Sequence, residues 1–217
     1  MHDDVLWVER LVHDLKGPLA PLQTAAYLLR ADGLGPERQR ELAGIVDRQS
    51  RRLAAMIDEA GDWARVSQQP LVLRPVPCAL AHVLDLAIGA VPGCRVEPAF
   101  APGDADALQV RGDEARLVQM FLALVGYQAW RDPAGTPTLE VARSGGDVRV
   151  RLCDAGAPMG AAAMAALFTE PSPEPHDAGL GLRLMIAAAI ARGHGGRLTA
   201  SERDGGGLCL SCELPLG

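Results

Sequence analysis

Two apolar series, each with a step of seven, run through the first thirty residues. Val5, Val12, Leu19 and Ala26 form one, and Val8, Leu15, Leu22 and Leu29 the other, three positions later. Steps that alternate three and four describe the a/d stripe of a coiled coil or helical bundle. Gly33-Leu34-Gly35 interrupts the pattern, and Pro36 suits the first turn of a new helix. A second stripe follows on Leu42, Val46, Gln49, Leu53, Met56, Ala60 and Trp63. Two long helices and a short loop make an antiparallel hairpin. A lone hairpin has little core of its own, so its stripe is expected to pair with a second copy, giving a four-helix bundle in a homodimer. The alternative is that it packs on the rest of the same chain.

Gln68-Gln69-Pro70 marks the exit, and the pattern then changes. We divide the chain into a helical hairpin over 1–68 and a mixed domain over 69–217. In the second part the pattern predicts strands over Leu71–Val76, Arg95–Ala99 and Leu108–Arg111. Two strand hairpins are predicted, Thr138–Ala142 with Val148–Cys153 and Arg197–Ala200 with Leu208–Leu214. Helices are predicted over Ala79–Val91, Glu114–Trp130 and Leu182–Arg192. The fold class is α+β, with helices on one face of a mixed sheet.

The net charge of −6 and the absence of a basic run argue against nucleic acid as a partner, and 4% aromatic residues offer no base-stacking platform. No stretch approaches the roughly 20 apolar residues that cross a bilayer. Met1-His2-Asp3-Asp4 lacks the basic start of an export signal, so a cytoplasmic location is expected. Five cysteines, an odd count, argue against a disulfide framework. Cys209 and Cys212 form a CxxC within a predicted strand, where positions three apart face opposite ways. Free thiols are therefore expected there, and no metal site is assigned.

One stretch carries chemistry. In Val12-His13-Asp14-Leu15-Lys16-Gly17-Pro18-Leu19, His13 lies beside the stripe on its outer side, next to a carboxylate. An exposed imidazole with a proton acceptor at hand suits nucleophilic attack on phosphorus. Pro18 one turn on would kink the helix or end it. From spacing alone, a bland surface histidine remains open.

The ten residues from His13 to Leu22 resemble the H-box of histidine kinases, His-Glu/Asp-x-x-Asn/Thr-Pro-Leu. The resemblance implies that His13 is the phosphoacceptor and Asp14 the general base. Gly17 stands where the family has Asn or Thr, which weakens the case for phosphatase activity. The second half resembles the ATP-binding domain of those kinases and of the wider GHKL (Bergerat-type) ATPases. Gly112-Asp113-Glu114 through Leu122 matches the start of the N-box helix, and Cys153-Asp154-Ala155-Gly156 the first glycine box. Gly179-Leu180-Gly181-Leu182 matches the second. A cofactor site follows by resemblance, with Asp154 accepting from adenine, Gly156, Gly179 and Gly181 letting the backbone approach the ligand closely, and the helix start at Gly179–Leu182 offering N–H groups to phosphates.

The same alignment puts Ala123 and Tyr127 at the two N-box asparagines, one of which holds magnesium in the family. It puts Trp130 at the basic position, Pro158 near a lost glycine, and Asp177 at the first glycine of the second box. Phosphoryl transfer from ATP depends on positioning and charge compensation. ATP with Mg²⁺ is therefore expected to bind weakly or not at all, a degenerate state similar to ChpT-type histidine phosphotransferases. The implied function is a phosphorelay protein that exchanges a phosphoryl group between His13 and the receiver aspartate of a response regulator. Two alternatives stay open: an ATP-dependent histidine autokinase, with Glu114 or Gln119 assisting the metal, and a non-enzymatic module that binds a response regulator.

Overall fold

The computed structural model describes residues 2–31, 33–67, 71–173 and 179–217, with the backbone alone for 2–10. The side chains of Val5 and Val8, the exit Gln68-Gln69-Pro70, and Pro175 and Asp177 lie outside the described residues.

Helix α1 (His2–Leu28) continues past Pro18 and Pro21, so Gly17-Pro18 does not end it. Helix α2 (Pro36–Ser67) starts on Pro36. Its stripe points inward as the spacing requires: Leu42 and Met56 are buried, and Val46, Gln49, Leu53, Ala60 and Trp63 half-buried. On α1 the inward row is Leu11, Leu15, Pro18, Leu22 and Ala25, with steps of four and three. Val12 and Leu19 lie on the neighbouring flank, 45% and 38% exposed. The two series of the sequence pattern thus divide their work. Leu15 and Leu22 of one lie on the inward row, and Val12 and Leu19 of the other are exposed.

The second part begins with a correction. Leu71–Val76 is not a strand; the first strand is β1 (Val76–Ala79). The alternation at 71–74 is real, with Leu71 and Leu73 packed on Gly193 and Val72 exposed, but no neighbouring strand among the described residues completes a ladder. There follow α3 (Leu80–Gly89), β2 (Pro98–Phe100), α4 (Asp104–Ala107) and β3 (Gln109–Gly112). Then come α5 (Glu114–Arg131), β4 (Thr138–Ser144), β5 (Asp147–Cys153) and α6 (Ala161–Ala166). The chain closes with α7 (Arg183–Gly193), β6 (Arg197–Glu202) and β7 (Leu208–Pro215). The short helices α4 and α6 carry no periodicity long enough to betray them.

The main sheet has the order β2-β4-β5-β7-β6. Only β2–β4 is parallel, and β1 pairs with β3 separately. Alternation assigns its faces. Leu139, Val141, Val148, Val150, Leu152, Leu210, Cys212 and Leu214 are buried under the helices. The opposite face carries Arg149, Arg197 and Glu213 in ion pairs. Asp113 caps α5 by accepting from the Arg116 amide. Helix α7 is buried almost all round, from Leu184 through Ala191, and forms the middle of the helical layer. The α+β sandwich preceded by a helical hairpin is therefore as expected.

The cysteine expectation needs correcting. Cys153 and Cys209 form a disulfide, and Cys78, Cys94 and Cys212 are free. The register of β5 on β7 sets Cys153 opposite Cys209, with 4.1 Å between Cα atoms. An odd count leaves a thiol over but does not forbid a pair, and the register that joins these two is a long-range property. The CxxC itself behaves as alternation requires, since Cys212 faces the core with Leu210 and Leu214 while Cys209 faces the other way.

Candidate functional site

His13 sits on the open side of α1 with its side chain 87% exposed. Its Nδ1 lies 3.2 Å from Asp14 Oδ1. With Nδ1–H donating to that carboxylate, Nε2 carries the lone pair and faces outward. Pro18 and Pro21 remove the amides that would reach the carbonyls of Asp14 and Gly17, so this turn carries fewer backbone bonds than its neighbours. Space is open beside Gly17. Val12 and Leu19 flank the histidine as exposed apolar residues. The arrangement leaves the His13 ring accessible from solvent.

Asp154 is fully buried at the end of β5. Its Oδ2 accepts from Arg131 Nε at 2.8 Å. Its Oδ1 accepts from the amides of Gly156 at 2.9 Å and Leu208 at 3.1 Å. Arg131 also donates to the Ala157 carbonyl. Burial works against the Arg131 charge, yet the hydrogen bond and charge of Asp154 outweigh it and raise its pKa. Gly156 is close-packed, since a Cβ there would meet Asp154 Oδ1 at 3.3 Å. The carboxylate that resemblance assigns to adenine is thus occupied by the chain's own arginine.

The turn before α7 is equally filled. Gly181 has φ +79°, a conformation that suits glycine, and a Cβ on it would lie 2.5 Å from the Ser172 carbonyl oxygen. The Ser172 amide donates to the Gly181 carbonyl at 2.9 Å. Gly179 is buried. The amides of Leu180 and Leu182 donate to the carboxylate of Glu59 on α2, at 2.5 and 2.6 Å.

On α5, Ala123 and Tyr127 are buried. Burial pushes the Tyr127 hydroxyl pKa up, only partly offset by Arg131. Trp130 stacks at a tilt on Tyr127, with ring centres 5.8 Å apart. Gln119 is bound to Asp62 of α2 and to Arg116, and Glu114 is exposed. Asp62 also pairs with Arg116 and Arg65. Burial would raise the Asp62 pKa, but the bonds from Arg65, Arg116 and Gln119 hold it below the usual carboxylate value. A cavity of about 390 Å³ remains between α5, α6 and the Pro171–Pro173 segment, lined by Tyr127, Trp130, Arg131, Met159, Leu167 and Leu184 among others. Arg131 reaches this cavity, and Asp154 does not line it. No cluster of metal-binding side chains occurs among the described residues.

Sequence reading missed Glu59, Asp62 and the role of Arg131. Glu59 had one available signal: an acid next to the inward row of α2, between Met56 and Ala60. His194, beside the second glycine box, is structural. It accepts from the Asp113 amide through Nε2 and meets the Ile190 carbonyl through Nδ1. Gly112 makes room for its ring, since a Cβ there would come within 2.7 Å.

Two family models match the chain. The "His Kinase A (phospho-acceptor) domain" covers residues 6–69. The "Histidine kinase-, DNA gyrase B-, and HSP90-like ATPase" covers residues 112–217. The sensor protein CutS of Streptomyces coelicolor is 29% identical over 94% of this chain and 51% of its own length. The sensor protein DivL of Caulobacter vibrioides is 28% identical over 96% of this chain and 28% of its own. The chain thus spans about half or less of these relatives. Among solved structures, full-length ShkA in complex with AMPPNP matches with TM-score 0.70 and 23% identity over 96% of this chain and 46% of its own. Histidine kinase ThkA in complex with the response regulator TrrA matches with TM-score 0.73 and 19% identity, over 97% and 61%. These structures share its fold. No helix among the described residues is long and apolar enough to cross a membrane. Hairpin and sandwich, each matched by its own model and in the expected order, make this chain a member of the histidine kinase family, carrying the core of a two-component sensor kinase.

Proposed function

We propose that the chain carries a phosphoryl group on His13 and exchanges it with the receiver aspartate of a response regulator, acting as a homodimer with little or no use of ATP. The observation that carries this reading is the exposed His13 paired with Asp14. In the transfer, Nε2 attacks the phosphorus of an aspartyl phosphate. The N–P bond forms as the P–O bond to the aspartate breaks, and the aspartate leaves as a carboxylate. Asp14 holds the Nδ1 proton and stabilises the cationic ring that results. The outward flank of Val12 and Leu19 supplies apolar surface for the second protomer. The ThkA–TrrA complex supports a response regulator as partner.

The residues present do not fit a magnesium–nucleotide complex. Asp154 is sealed by Arg131, Glu59 holds the amides before α7, and the N-box positions carry Ala123 and Tyr127. The autokinase reading draws support from the match to the ATPase family model, from the AMPPNP-bound ShkA structure and from the open cavity beside Tyr127 and Gly181.

The test is transfer from a receiver domain charged with a labelled small-molecule phosphodonor, with His13→Ala as control. Acid-labile label on the wild-type chain and none on H13A is the expected result. Label that never leaves the receiver refutes the relay. His13-dependent label from ATP and Mg²⁺ would establish the autokinase instead.

A further inference from the structure

Glu59 is a buried carboxylate, 5% exposed, far along the sequence from the groups it binds. Its two oxygens accept from the amides of Leu180 and Leu182, 121 and 123 residues away. Those amides flank Gly181, whose positive φ turns successive N–H groups toward one concave side. They also stand at the start of an eleven-residue helix, where the macrodipole favours an anion. One turn further along α2, Asp62 takes Arg116 and Gln119 of α5. The hairpin thus presents two carboxylates three residues apart, one to α7 and one to α5. The cleft between them holds about 220 Å³ and is walled by Asp58, Glu59 and Asp62, with Arg183 and Ala123 opposite.

We infer that Glu59 is an internal anion that plugs the N-H pocket before α7, latching the hairpin onto the C-terminal half and keeping polyphosphate out. A carboxylate bridging two amides does what two oxygens of a phosphate would do at the same place. Any polyphosphate must displace it from the two amides; Asp58 adds negative charge to the cleft, while Asp62 is paired with Arg65 and Arg116 and Arg183 lines the opposite wall. The contact fills the amides before α7 while the cavity beside Tyr127 stays open. It deepens the weak-nucleotide part of the proposed function. Because the measurement uses inorganic tripolyphosphate and not His13 labelling, the two readings fail separately.

Two measurements test it on the full chain. Amide hydrogen exchange on the wild type needs no substitution. Leu180 and Leu182 are expected to exchange at least roughly 100-fold more slowly than unprotected amides, the scale of local protection in a closed contact. Fast exchange at both overturns the latch. Calorimetric titration with tripolyphosphate, without metal, compares the wild type with Glu59→Ala and Glu59→Gln. Both variants are expected to bind at least about tenfold more tightly, the equivalent of one charge-assisted hydrogen bond released to the ligand. Equal affinity in all three chains, or no binding by folded variants, overturns the plug. If Glu59→Ala does not fold, Glu59→Gln and the wild-type exchange data still decide the matter.

Discussion

Arg131→Ala tests how firmly Asp154 is committed. The substitution removes the guanidinium 2.8 Å from a carboxylate with no exposed surface, in a pair whose arginine side chain is only 10% exposed. Breaking a buried pair from one side costs about 3–5 kcal/mol, because the remaining charge stays in the interior without a partner. Asp154 keeps the amides of Gly156 and Leu208, which places the expected loss near the lower end, at about 3 kcal/mol. For a chain of this length that corresponds to a fall in Tm of about 6–12 °C, read by differential scanning calorimetry. Asp154→Asn removes the charge while its amide oxygen can still serve the two backbone amides. In the R131A/D154N double variant the losses should fall short of the sum by about 2 kcal/mol, as for any directly coupled pair. A shift below about 2 °C for R131A, together with additive effects, would mean that the pair contributes little and that Asp154 is free to serve a ligand.

Two further outcomes follow from titratable and sulfur groups. Because the folded-state pKa of Asp62 lies below its ordinary 3.8, the stability it contributes is full above that value and drains away as pH falls through the lowered one. Asp62→Asn should flatten that part of a Tm-against-pH curve, and parallel curves for the two chains would refute the assignment. Native alkylation should modify half-buried Cys94 first, since burial pushes the Cys78 and Cys212 thiols up. A non-reduced digest should yield Cys153 linked to Cys209, and alkylation of either in the native chain counts against the bond.

What could be read from sequence was what repeats at short range. The row on α2 from Leu42 to Trp63 follows from spacing, and so does the alternation that separates Cys209 from Cys212. The H-box and glycine boxes placed His13 and Gly181 by local pattern. The contents of the nucleotide half could not be read this way. Glu59 meets Leu180 across more than a hundred residues, and Cys153 meets Cys209 through a strand register that no local rule encodes. Arg131 stood one position beyond the expected basic site, and only the turn of α5 into the end of β5 shows what it holds. Leu71–Val76 failed for the opposite reason: its pattern suits a strand, but a strand also needs a neighbour.

The core has a consequence for how the molecule comes apart. Met56 and Val66 of α2 belong to the same buried cluster as Phe121, Ile190 and Leu214, and Leu11 and Leu15 of α1 pack against it. Hairpin and sandwich are separate in sequence and matched by separate family models, yet they share this core, so a single cooperative melting transition is expected. A hairpin severed from the sandwich would expose Met56 and Val66 to water and lose the groups that now satisfy Glu59. A change of sequence pattern near residue 68 therefore does not imply two independently folding units.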